Sequence, residues 1–101
     1  MKINNKNIGV IGLGKLGSCF AACFAYRGFN VLGLEINEKI VNDINNHIAP
    51  FLEPGLQELI NKSKNNLKAT INPQEVFDFS DIFLLLFPLR QKKMEVFLMN
   101  I

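Results

Sequence analysis

The 101 residues carry 11 Lys and Arg against 9 Asp and Glu, a formal charge of +2, and 49% of them are hydrophobic. That length allows one domain with a real core, though a thin one. The basic residues are interleaved with acids, which excludes a nucleic-acid footprint. The polar start MKINNKN has no signal-peptide core and no run has the length of a membrane span, so the expected location is cytoplasmic.

The first predicted element sets the frame for the rest. In Ile8–Gly17, IGVIGLGKLG, the apolar positions Ile8, Val10, Ile11 and Leu13 predict a short buried strand. Gly12, Gly14 and Gly17 then fall in the G-x-G-x-x-G spacing where a helical pattern begins. In that arrangement the first glycine makes the tight turn out of the strand. The second leaves room for a pyrophosphate, and the third lets the helix pack closely. The free N–H groups and positive dipole end of the helix would face the phosphates.

The helix is predicted from about Lys15 to Arg27, with Leu16, Phe20 and Phe24 spaced by four, Cys19, Ala22 and Cys23 beside them on a wide apolar surface, and Gly28 as its stop. Cys19 and Cys23, one turn apart within it, read as buried reduced thiols and not as a disulfide or a metal pair. Phe29–Glu35 is the second strand, with Glu35 at its carboxyl end. Asn37 caps a helix that presents Ile40, Val41 and Ile44 on one face, and His47 follows in a surface turn. Pro54 and Gly55 are expected to open a short helix striped by Leu56, Leu59 and Ile60 and ending near Lys64. Leu67, Ala69 and Ile71 alternate with polar residues as a third strand. Asn72-Pro73-Gln74-Glu75 opens another helix, and the unbroken run Ile82–Phe87 predicts a parallel strand covered on both faces.

Strands alternating with helices give an α/β fold, a partial Rossmann-type doubly wound parallel sheet of order 3-2-1-4. Its ligand crevice is expected at the carboxyl ends of strands one and four. Glu35 stands 23 residues after Gly12, close to the offset of the acid that takes the adenosine ribose diol in this fold. A carboxylate there repels a 2′-phosphate, which favours NAD over NADP.

With E-P-G-L at residues 53–56 added to the glycine loop, the chain resembles the N-terminal domain of the UDP-glucose/GDP-mannose 6-dehydrogenase family over residues 7 to 88. The quoted stretches are IGVIGLGKLG, VLGLEIN, IAPFLEPGLQELI and LKATINPQEVFDFSDIFLLLFP. The resemblance implies NAD as cofactor and oxidation of a nucleotide sugar's C6 alcohol to a carboxylate, of the UDP-glucose to UDP-glucuronate type. It assigns cofactor contacts to Gly12, Gly14, Gly17 and Glu35. Lys15 and Leu16, which stand where members commonly have Tyr-Val, and Lys39, which stands one position early for a ribose-binding lysine, are also expected cofactor contacts. No catalytic residue or metal ligand is assigned; Cys19 and Cys23 are not the family's catalytic cysteine.

After Pro88 the family continues with P-T-P and D-G, whereas this chain reads Leu89-Arg90-Gln91. Residues 1–88 are therefore expected to be the N-terminal part of an NAD-binding domain, binding the ADP half of NAD, with the nucleotide sugar engaged only by the full-length member. Residues 89–101 are expected to be an aberrant tail with no helix or strand period. A frame shifted within the Phe87 codon permits P-T-P, and the single codon of Met94 followed by Glu95 forces the glycine of D-G. Two other readings share the glycine spacing and the later acid. One is a regulatory NAD-sensing module like those that gate potassium transporters, and the other is a truncated product without function.

Overall fold

The structure, a computed structural model, describes residues 6–86 and 92–99. The elements run β1 (Asn7–Ile11), α1 (Lys15–Tyr26), β2 (Asn30–Leu34), α2 (Glu38–Asn45) and α3 (Leu56–Lys62). They continue with β3 (Leu67–Thr70), α4 (Pro73–Phe79), β4 (Ile82–Leu85) and α5 (Lys92–Met99). The four strands form one parallel sheet in the order β3-β2-β1-β4, as the sequence predicts. Its register places Ile11 beside Leu34 and Leu85, and Leu34 beside Thr70. The carboxyl ends of β1 and β2 therefore finish side by side, which brings Gly12 and Glu35 together.

Alternate strand residues face opposite sides of a sheet. Val10, Val31, Leu67 and Ala69 join the larger core cluster with Ala21, Ala22 and Ala25 of α1, Val41 and Ile44 of α2, and Leu56 and Ile60 of α3. Ile11 and Leu34 point the other way, against Val76 of α4. Three helices thus cover one face and α4 the other. Among the described residues no helix is long and apolar enough to cross a membrane.

The local signals that set the helix ends hold. The Asn37 side chain accepts from the N–H groups of Lys39 and Ile40, and Asn72 does the same for Gln74. His47 sits at φ 63 and closes α2, with its own N–H bonded to the Ile44 carbonyl and that of Ile48 to Asp43. This is the paired C-terminal motif in which glycine is the usual left-handed residue.

Several expectations are corrected. The buried side of α1 is Gly17, Ser18, Ala21, Ala22 and Ala25, while Leu16 and Phe20 are 59% and 42% exposed. A helix that must lie close on the sheet above a glycine turn puts its small residues inward, and the aromatics fall to the flank, where Phe20, Phe24 and Phe29 pack on each other. For the same reason Cys23, on that flank, is exposed and Cys19 only half-buried; both are free thiols. Pro54 and Gly55 do not begin α3 but form a β-turn before it, closed by the Leu56 N–H on the Glu53 carbonyl with Gly55 at φ 83. That left-handed third position is the glycine site of a type II turn.

Ile71 lies past the end of β3 and is exposed. The run predicted to be covered on both faces is instead open in β4: Ile82, Phe83 and Leu85 are exposed. Among the described residues β4 pairs only with β1, and Phe83 packs edge-on against Phe77. Phe87, the predicted last residue of that strand, lies with residues 88–91 outside the described residues. Within the tail, Lys92–Met99 is helical where no period was expected. Lys, Met, Glu and Leu are good helix formers whatever their spacing.

Candidate functional site

The crevice expected at these strand ends is bordered by the loop between β1 and α1 and by Glu35, the residue that follows β2. Gly12 turns the chain at φ 98, and its N–H still bonds the Leu34 carbonyl at 2.9 Å, so the turn begins inside the sheet. Leu13 follows, fully buried, and its side chain fills the space that a Cβ on Gly33 would take. Gly14 is the N-cap of α1, and a Cβ there would point into open space. One on Gly17 would collide with the Gly12 carbonyl oxygen, so the third glycine sets how closely the helix meets the turn. The Ser18 hydroxyl donates to the Leu13 carbonyl at 2.8 Å and fixes the loop from within.

The first intrahelical bond at this end is from the Ser18 N–H to the Gly14 carbonyl. The amides of Lys15, Leu16 and Gly17 come before it, and Gly14 has no side chain with which to cap them. Three N–H groups and the positive end of a 12-residue helix therefore lie beside the open space at Gly14.

Glu35 stands across the loop, only 7% exposed. Its Oε1 accepts from the Leu13 N–H at 2.8 Å and its Oε2 from the Asn37 N–H at 3.0 Å. A carboxylate offers about four acceptor positions, so each oxygen keeps one for a further donor. Glu35 thus tethers the glycine loop and keeps acceptor capacity to spare. Leu13 and Glu35 are 22 residues apart, and nothing in the spacing of the sequence signals that tether.

The NAD-binding-domain pattern of the UDP-glucose/GDP-mannose dehydrogenase family matches residues 6–96. The chain belongs to that family. It is 40% identical over 80 residues to the UDP-glucose 6-dehydrogenase of Haloferax volcanii, a match that covers 78% of this chain and 19% of that one. It is 42% identical over 81 residues to the UDP-N-acetyl-D-mannosamine dehydrogenase of Campylobacter jejuni, covering 78% and 19%. Its fold superposes on GDP-mannose dehydrogenase from Pseudomonas aeruginosa with a TM-score of 0.78 and 27% identity, over 84% of this chain and 20% of that one. The chain spans about one fifth of the length of these relatives. The family match also runs past the expected boundary at residue 88.

For this family member the structure brings Gly12, Gly14, Gly17 and Glu35 to one crevice and leaves the three other expected contacts at its rim or outside. The Leu16 side chain is exposed. Lys39 turns down α2 to Asp43 at 2.8 Å, an i,i+4 pair, so a ribose contact would require it to leave that partner. Lys15 reaches Glu53 of the E-P-G-L turn at 3.2 Å. Glu53 was not among the expected site residues; its partner lies across a loop, out of reach of local pattern.

Cys19 lies one turn along α1 from Lys15. Burial pushes its thiol pKa up, the Glu53 carboxylate and the neighbouring Cys23 add to this, and Lys15 opposes it. A separate cavity of ≈ 320 Å³, lined by Leu32, Lys68, Glu75 and Phe79 among others, lies along α4 on the sheet face turned away from α1. It has no part in the crevice.

Proposed function

We propose that the loop Gly12–Gly17 and Glu35 hold the ADP half of NAD, and that this chain is the cofactor-binding part of a nucleotide-sugar 6-dehydrogenase. The observation that supports this best is the open space at Gly14, bordered by uncapped amides on one side and by the Glu35 carboxylate on the other. A pyrophosphate suits the first border and a ribose diol the second. When bound, NAD supplies a hydride acceptor. The residues of this chain anchor it, through N–H groups at the phosphates and through Glu35, whose charge discriminates against a 2′-phosphate.

The substrate class is a nucleotide sugar. Relatives act on UDP-glucose, GDP-mannose and UDP-N-acetylmannosamine; E-P-G-L tilts the reading toward UDP-glucose. Oxidation to the carboxylate requires a thiol held over C6, with a base and an oxyanion stabiliser. Cys19 and Cys23 lie on the flank of α1, so this chain alone is expected to turn over no UDP-glucose. NADH formation lost on mutating one of its residues would contradict that. A regulatory NAD-sensing module is the competing reading, and the E-P-G-L turn with α3, inserted between β2 and β3, speaks against it. The expected setting is the cytoplasm. With Lys92–Met99 helical, the shifted-frame reading of residues 89–101 loses the missing period as support and keeps the break after Pro88, the permitted P-T-P and the forced glycine; codons that cannot yield P-T-P would end it.

The test is calorimetric titration of the chain with NAD and NADP. NAD should bind more tightly by about tenfold or more, the scale of a like-charge contact of at least ~1.4 kcal/mol. Glu35→Gln should remove the preference. Equal affinities for the wild-type chain would refute the assignment of Glu35.

A further inference from the structure

We propose that Glu53 and Lys15 form a charge latch on the nucleotide site: Glu53 holds the lysine neutralised at the rim, and an arriving pyrophosphate takes it over. The inference rests on the binding reading above and adds a determinant of affinity that the glycine pattern does not contain.

Lys15 is the first residue of α1, next to Gly14 and its open space. Its Nζ lies 3.2 Å from Glu53 Oε2. Glu53 is not free to wander. It opens a β-turn closed by the Leu56 N–H on its own carbonyl, and the next helix buries Leu56 and Ile60 in the core cluster that also holds Ala21, Ala22 and Ala25 of α1. The carboxylate is thus held beside the helix end where an anionic ligand would sit.

The pair itself is half in solvent, with side-chain exposures of 64% for Lys15 and 35% for Glu53. Exposed pairs of this kind are weak, so the lysine can change partner at small cost. A pyrophosphate carries more charge than one carboxylate and is the better partner. Its binding therefore includes the release of Glu53 and the gain of Lys15. Removing Glu53 should make binding tighter, and removing Lys15 should make it weaker.

The experiment compares NAD, ADP and adenosine binding to the wild-type chain, Glu53→Gln, Lys15→Gln and the double variant, by calorimetry for the first two ligands and ligand-detected NMR for adenosine. Glu53→Gln should tighten NAD and ADP by about two- to fivefold, the range of an exposed ion pair, and leave adenosine unchanged. Lys15→Gln should weaken NAD and ADP by a similar factor, and in that background Glu53→Gln should give no gain. Unchanged melting temperatures in the variants show that the fold is intact.

A Glu53→Gln gain that extends to adenosine, or that persists undiminished without Lys15, overturns the latch, as does no gain at all in a chain that binds NAD. If neither the wild-type chain nor Glu53→Gln binds NAD while both are folded, the binding reading fails and the latch with it.

Discussion

The two outer strands of the sheet solve the same problem in opposite ways. β3 alternates, with Leu67 and Ala69 buried and Lys68 exposed, and its outer edge is met by a side chain. Asn45 at the end of α2 accepts from the Ala69 N–H at 2.8 Å and donates to the Ala69 carbonyl at 2.9 Å, so one amide stands in for a neighbouring strand. Asn66, just before β3, donates to the carbonyls of Ala25 and Phe29 and ties the strand's entry to the end of α1. β4 is apolar at every position, yet Ile82, Phe83 and Leu85 are exposed. It is held on the β1 side, where the Asp81 carboxylate accepts from the Asn7 N–H, by Phe83 against Phe77 of α4, and by Leu84 against the core cluster. A charge and an amide clamp are ordinary ways of blunting an edge; an uncovered apolar edge invites pairing. A strand's composition thus reports the cover it is suited to, and in β4 the described residues do not supply that cover.

The comparison breaks most visibly on side-chain deletion. Leu67→Ala removes a fully buried side chain and should cost about 2–5 kcal/mol, read from the urea midpoint. Leu85→Lys, at an exposed site, should change stability by no more than about 0.5 kcal/mol while lowering self-association in sedimentation velocity. If the two substitutions cost the same, the burial contrast between the strands is wrong.

The clamp is a smaller target. Asn45→Ala leaves the Ala69 N–H and carbonyl without their partner and should cost about 1–3 kcal/mol. It should also make β3 competent to pair, so that self-association rises, opposite in sign to Leu85→Lys. Self-association unchanged by Asn45→Ala would mean that α2, and not the amide, protects that edge.

What the sequence discloses follows the range of each interaction. The glycine turn, the Asn37 and Asn72 caps and the strand order were legible because each depends on a few neighbouring residues or on the rule of crossover handedness. The inward face of α1 was not, because a helix apolar on several sides has no single row to follow. What chooses Ala21, Ala22 and Ala25 is the closeness demanded by Gly17 against Gly12, a tertiary condition. The Pro54-Gly55 pair carried a turn signal that a helix-start reading passed over. That Gly12, Gly14, Gly17 and Glu35 come together at adjacent strand ends was legible from their spacing and from the strands and helix around them. The second task of Glu35, holding the Leu13 N–H, and the pairing of Lys15 with Glu53 were not, since both join segments that only the fold brings together.

NAD is proposed to sit at the amino end of α1 against Glu35. Mapping of amide chemical shifts on titration with NAD tests it most directly. The amides of Leu13, Lys15, Leu16 and Gly17, and that of Asn37 beyond Glu35, should shift together and saturate. Those of Lys68 and Ala69 at the clamped edge should stay in place. Shifts centred instead on the cavity beside α4, at Leu32, Lys68 and Glu75, with the glycine loop unmoved, would contradict the account.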